Sequence, residues 1–308
     1  FILFLCAACL LTFTGCWSRV EPKNLAMVNS ILYDLNDEGQ LAISIEIINT
    51  SSQGGSGSGG SLSNEQTSAL IIEEKGETAS RAVSKANNCL EKVVFAGLNK
   101  ARIFSEKLSV QGLAPTMDFI TRDFLTDETP FMVVVVGNAP KEIYQSSTGM
   151  SDMVGNFIDR LYTVGPIKSN RAVFVRTLDF MKDFYLDGKE PVMGLAQVKK
   201  EEAIENQAPG SQKSQKSSDT GVGSSSSASY KETNAKTSNH LVYEGLAAFK
   251  QDKLVGYMNG TETMAYNLIT NNFGYSSLIV PVQKDPVAFS MENGKNNVKT
   301  VVDENGQV

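Results

Sequence analysis

Cys16 stands directly behind Gly15 at the end of the apolar run FILFLCAACLLTFTG and is followed at once by Trp17. Apolar residues, then small ones, then a cysteine is the arrangement that a lipoprotein signal peptidase cuts. The cut falls between Gly15 and Cys16, the run is removed, and the thiol carries a lipid thioether. Two acyl chains anchor far more firmly than one, each buried methylene adding about 0.8 kcal/mol. A transmembrane anchor or a buried helix is the competing reading. A span needs about 20 apolar residues, more than Phe1 to Thr14 supplies, although a chain starting on Phe rather than Met is expected to have lost residues upstream. Phe13 stands where such signals usually carry Leu. Cys6 and Cys9 spell Cys-x-x-Cys, elsewhere a redox or zinc pattern; inside a signal they are small hydrophobes that leave with it. Trp17 and Arg19 fall at the level of the lipid headgroups, where tryptophan is common, and Trp17 could equally pack against the folded body.

Other reactive residue types are sparse. Beyond Cys16 the mature chain has one cysteine, Cys89, so no intramolecular disulfide is expected. The lone histidine, His240, lies in a polar stretch, which deprives zinc and imidazole acid-base chemistry of their usual residues. No metal and no cofactor are expected. Gly55, Gly57 and Gly60 match the dinucleotide fingerprint G-x-G-x-x-G, but Ser61-Leu62-Ser63-Asn64 follows. No apolar helical period is there to bring a helix N-terminus to a pyrophosphate, so residues 51–63 read as a flexible Gly/Ser loop. Asp118 and Asp123, near Arg122, are the acidic candidates for an enzyme. At that spacing on a helix they read as a solvated face, since carboxylates define no chemistry without a pocket to shift them. With 28 Lys and Arg against 34 Asp and Glu, the net charge of −6 argues against nucleic acid and against an electrostatic hold on anionic lipid. The lipid must then do the anchoring.

The elements that would position these residues follow from periodicity. Asn24 to Leu35 is extended, Asn36-Asp37-Glu38-Gly39 is a turn, and Leu41 to Ile48 alternates, with Leu41, Ile43, Ile45 and Ile47 on one face. That period of two predicts a hairpin half covered by core. Ala69 to Glu73 is extended and Thr78 is placed to cap a helix. The stripe of that helix is Ala79, Ala82, Val83, Ala86, Cys89, Leu90 and Val93, with Cys89 an inert buried thiol. Arg102-Ile103-Phe104 is extended, and Ser105 with Glu106 caps a second helix. Pro115 interrupts the chain, and Thr116 to Phe124 restarts as a helix with Met117, Ile120 and Phe124 inward. Phe131 to Gly137, FMVVVVG, suits a central strand covered on both faces. Pro140 opens a short helix. Ser151 to Val164 and Thr177 to Leu186 are amphipathic helices, the second aligned on Leu178, Met181 and Tyr185, and Pro191 to Val198 returns as a strand.

Strands and helices alternate here without the regular beat of a doubly wound fold. The fold class is therefore α+β, mixed sheets with flanking helices, in more than one domain. Residues 1–15 are the signal and 16–200 an N-terminal α+β domain. Residues 201–239, rich in Ser, Lys and Gln, have almost nothing to bury and form a disordered linker or a long surface insertion. Residues 240–308 start a second, β-rich domain. It comprises a hairpin over Leu241 to Met258, a helix on Met264, Ala265, Leu268 and Ile269, and strands at Ser277 to Val282, Val287 to Met291 and Asn297 to Val302. Some seventy residues are thin for an independent core, so this domain is expected to be incomplete.

These segments resemble the Ger(x)C family, the lipoprotein C subunits of spore germinant receptors. GCW at Gly15 to Trp17, NLAMVNSILYDLNDEGQLAISIEIIN at Asn24 to Asn49, MDFITRD at Met117 to Asp123 and EGLAAFKQDKLVGYMNGTETMAYNLI at Glu244 to Ile269 carry the resemblance. It implies a non-enzymatic subunit, lipid-anchored through Cys16 on the outer face of the spore inner membrane. Its partners would be multi-spanning B-type and part-soluble A-type receptor subunits, and its role assembly or signalling in nutrient-triggered germination. The resemblance supplies no catalytic residue beyond the attachment cysteine. A different class, a solute-binding lipoprotein capturing a small ligand for a transporter, would need two similar lobes around a cleft. The linker and short β-rich tail argue against that.

Overall fold

The computed structural model describes residues 20–49, 69–122, 127–137, 139–146, 148, 151, 153–168, 170–200, 239–282, 285–292 and 294–295. Cys16, Trp17, Arg19, the Gly/Ser loop 51–63, Asp123, Phe124, nearly all of the 201–239 stretch and the strand expected at 297–302 lie outside those residues.

A 3-10 turn over Pro22–Asn24 leads into β1 (Leu25–Leu35), and the Asn36–Gly39 turn, with Gly39 at φ 77°, returns the chain as β2 (Leu41–Ile48). After β3 (Ala69–Gly76), the Thr78 side chain accepts from the Arg81 N–H and starts α1 (Ala79–Asn88). Then come β4 (Val93–Phe95), β5 (Ala101–Ser105), α2 (Glu106–Gln111) capped by Ser105, and α3 (Ala114–Arg122). β6 (Phe131–Val136) is followed by a 3-10 helix at Pro140–Gln145, α4 (Val154–Lys168), α5 (Thr177–Tyr185) and β7 (Val192–Lys200). The remainder is β8 (Asn239–Lys250), β9 (Lys253–Met258), α6 (Gly260–Ile269), β10 (Tyr275–Val282) and β11 (Asp285–Glu292).

Among the described residues the strands form one nine-stranded mixed sheet, in the order β3-β2-β1-β5-β6-β7-β8-β9 with β4 also on β1, and a separate β10-β11 hairpin. The centre, β1-β5-β6-β7, is parallel, and antiparallel pairs flank it on both sides. Helices cover both faces. On one, Ala82 and Ala86 of α1, Leu108 of α2, Met117 and Ile120 of α3 and Phe180 of α5 close over Ile31, Tyr33, Ile43, Ile45 and Val134. On the other, Ile143, Val154 and Ile158 lie over Leu32, Ile103, Val133 and Val135. This is the α+β mixed sheet with flanking helices expected from the sequence, and β6, buried on both faces, is its predicted centre.

β8 and β9 join the same sheet as β7 rather than starting a sheet of their own. The β8–β9 turn also reaches back to α3: Asp252 accepts the Leu113 N–H on its carbonyl (3.0 Å) and the Ala114 N–H on its carboxylate (3.1 Å). Pro115 therefore sits in the first turn of α3, where its missing N–H costs nothing, rather than interrupting the chain. Other expectations shift for equally local reasons. β2 is buried on both faces, not one, because α4 and the Pro140 helix cover the side that bears Ser44 and Glu46. α1 ends at Asn88, so Cys89 and Val93 fall off its helical period and are exposed instead of buried. On α5 the inward residues are Phe180 and Met181, while Leu178 and Tyr185 are exposed. On α6 they are Thr263, Met264 and Asn267, while Ile269 is exposed.

Candidate functional site

Asp118 pairs with Arg122 one helical turn away (2.7 Å), and both are solvent-exposed on α3; Asp123 lies outside the described residues. His240 sits at the start of β8, in register with Lys199. The Cys89 thiol donates to the Glu74 carboxylate (3.1 Å), which raises its pKa and keeps it a thiol rather than a nucleophilic thiolate. Among the described residues no three of His, Cys, Asp and Glu gather as metal ligands. The same residues hold no helix long and apolar enough to cross a membrane.

Among the described residues the fold assembles a buried polar clamp and several surface depressions, two of which adjoin the charged and acidic residues of interest. The clamp centres on Glu46, 2% exposed. Its carboxylate accepts from Ser30 Oγ (2.7 Å), from the Val154 N–H (2.8 Å) and from the Gly155 N–H (3.2 Å) at the start of α4. Asn29 and Asn156 exchange a second pair of bonds, Nδ2 to Oδ1 at 2.9 Å and N–H to Oδ1 at 3.1 Å. The Tyr144 hydroxyl donates to the Ser44 carbonyl (3.2 Å). Gly155 is what lets α4 come so close, since a Cβ there would lie 2.4 Å from the Asn29 carbonyl. Burial pushes the Glu46 carboxyl up, against the hydrogen bonds that favour its charged form. The clamp fixes a helix to a sheet. Sequence reasoning placed Glu46 on the uncovered face of its strand. A glutamate inside LAISIEII was the available signal.

A second buried polar group, Arg102, is fully enclosed on β5. It donates to Thr177 Oγ1 and to the Asp127 carbonyl, while its Nε has no partner among the described residues. Burial pulls its pKa down, opposed by the nearby Tyr33 and Asp127.

The larger depression, about 1030 Å³, is an open groove between α1 and α3. Tyr33, Ile45, Val83 and Phe119 are among its apolar lining, and Asp118 and Arg122 are on its polar rim. The smaller, about 700 Å³, lies at the carboxyl ends of β1 and β5 and mixes Asp34, Asp37, Glu38 and Glu106 with Lys75, Lys107 and Lys141. Several of those charges are already engaged, Lys107 with the Asn36 carbonyl (2.8 Å) and Lys141 with Glu73.

Fold and site together define a two-faced α+β scaffold whose buried polar groups are used to fix one element against another. The chain belongs to the Ger(x)C family of spore germination proteins. Residues 18–198 match the family model for the spore germination protein N-terminal domain, and residues 244–308 match the spore germination B3/GerAC-like C-terminal model. YfkR of Bacillus subtilis (strain 168), a protein named for spore germination, is 23% identical over 285 residues, 92% of this chain and 64% of that protein. Spore germination protein KC of the same organism is 23% identical over 181 residues, 58% of this chain and 44% of that one. The crystal structure of the GerBC protein aligns with 89% of this chain and 66% of that chain, at a TM-score of 0.39 and 13% identity. The chain thus spans less than two thirds of the length of the curated relatives it matches.

Proposed function

We propose that this chain acts in spore germination as the non-enzymatic, lipid-anchored C subunit of a germinant receptor complex, held through acylated Cys16 on the outer face of the spore inner membrane. Its partners are the A- and B-type receptor subunits, and its part is assembly of the complex or signalling within it. The observation that carries this reading is the match of two consecutive spore germination family models across residues 18–198 and 244–308. The anchor rests on the Gly15-Cys16 junction at the end of an apolar run, with Trp17 and Arg19 next to it. We assign residues 1–15 to a removed signal, 16–200 and 240–308 to two domains, and 201–239 to the connection between them. β7 and β8 give those domains one continuous sheet. That continuity is why the solute-binding alternative is not preferred: the described residues do not divide into two similar lobes facing a cleft.

The test is affinity purification of the tagged full-length protein from detergent-solubilised spore membranes, with mass spectrometry of its partners and of its own N-terminus. Recovery of A- and B-type subunits with an acylated Cys16 peptide is the expected result. A lone protein with an uncleaved, unmodified N-terminus would sink both the anchor and the complex.

A further inference from the structure

We infer that the end of the sheet where β1 begins is the face that rests on the lipid bilayer, with Val20, Val93 and Leu98 as its contact residues. The inference builds on the anchor proposed above and adds the orientation of the body. Val20 is only the fourth residue after Cys16, and even fully extended that stretch reaches at most about 14 Å. Val20, at the entry to β1, is therefore held within that distance of the acylated cysteine.

Three aliphatic side chains toward this end have little to cover them: Val20 is 53% exposed, Val93 47% and Leu98 48%. Register places Val93 and Leu98 along the first part of β1, and Val20 precedes the Pro22–Asn24 turn that leads into that strand. Leu25 pairs with Val93 and Met27 with Phe95 at the start of β1, and the Lys100 N–H donates to the Asn29 carbonyl (2.8 Å). Leu98 lies between those two points, in a tight turn closed by the Asn99 N–H on the Ala96 carbonyl (3.1 Å). The buried Asn99 side chain then accepts the Ala101 N–H (3.2 Å). Leu98 is thus presented by a fixed turn rather than by a loose loop.

Charge at this end is balanced. Glu21 pairs with Lys23 (2.7 Å), Lys100 with Asp159 (3.6 Å), and Glu91 precedes Lys92. The contact is accordingly apolar and does not depend on anionic headgroups. The opposite end lies the length of β1 away, 11 residues or about 36 Å, where the charged depression with Asp37, Glu38 and Lys107 faces water.

The full chain, acylated at Cys16 in spore-former cells and reconstituted into phosphatidylethanolamine–phosphatidylglycerol vesicles, tests this. In a Trp17→Phe background a single tryptophan is placed by Leu98→Trp, by Val93→Trp or, at the far end, by Glu38→Trp, and quenching by brominated lipid is read. Leu98→Trp and Val93→Trp should be quenched at least threefold more than Glu38→Trp, with no change when neutral lipid replaces phosphatidylglycerol. Equal quenching, or stronger quenching of Glu38→Trp, in vesicles that carry the protein on flotation overturns the orientation and leaves the anchor standing. Failure of the Cys16-bearing chain to float with vesicles overturns the anchor, and the orientation falls with it.

Discussion

Glu46 shows how a single side chain can be both the tie between two layers and a liability. Its carboxylate gathers three donors, two of them orphan N–H groups at the α4 N-terminus, where the helix dipole also favours negative charge. Burial nonetheless dominates and raises its pKa above the ordinary value of 4.5. A carboxyl whose folded pKa is raised contributes stability that is present below the ordinary value and lost as pH rises through the raised one. The stability of the wild-type protein relative to Glu46→Gln should therefore fall with rising pH across that interval, as read by urea unfolding at a series of pH values. Glu46→Ala leaves two backbone donors without their acceptor, while Ser30 Oγ still has the Tyr144 hydroxyl at 3.2 Å, and should cost about 2–4 kcal/mol, since each buried unsatisfied group costs about 1–3. A loss under 1 kcal/mol would mean that water replaces the carboxylate.

At the scale of elements, the ends of helices separate what is local from what is not. Asn259 caps α6 in a full capping box, accepting from Thr261 and Glu262 while the Glu262 carboxylate accepts the Asn259 N–H (2.8 Å). Every partner lies within four residues, so the start of that helix is readable in NGTETM. The start of α3 is not, because its cap, Asp252, comes from a turn 138 residues away. Asp252→Ala should cost about 1 kcal/mol and raise amide exchange at the start of α3 and across the β8–β9 turn together. Exchange rising at only one of the two would separate cap from hairpin. The same non-locality set the inward faces of α1 and α5. Apolar spacing selected Cys89 and Tyr185, but α1 had already ended, and the sheet under α5 meets Phe180 instead.

For the molecule as a whole, a single sheet runs from β3 to β9 and binds the two family-matched regions into one body. The seam has its own bonds: Asn267 Nδ2 donates to the Asn170 and Ala172 carbonyls (3.1 and 3.0 Å), the Gly245 N–H to the Arg171 carbonyl (2.7 Å), and Arg171 pairs with Glu244 (2.7 Å). Asn267→Leu removes two of these donors' bonds and should lower the unfolding midpoint as one cooperative transition. Two separate transitions would show that the regions fold independently. Cys16→Ala should release the protein from membranes and abolish recovery of A- and B-type subunits while leaving the thermal midpoint of the folded body unchanged. Retention on the membrane by the alanine variant would point to partner contacts rather than lipid as the hold.

The sequence by itself determined the strands that alternate or are uniformly β-branched, the helices with caps close in the chain, the α+β class, and the family through four segments in order. Those features depend on neighbours within a few residues, so one chain read in one direction contains them. Tertiary structure alone decided that β2 is covered on both faces, that Glu46 is buried, and that β8 continues the sheet of β7 across the polar stretch. It also decided that Val93 and Leu98 emerge exposed along the first part of β1. Each of these depends on which distant element arrives at a surface, and burial, unlike periodicity, is a property of both partners.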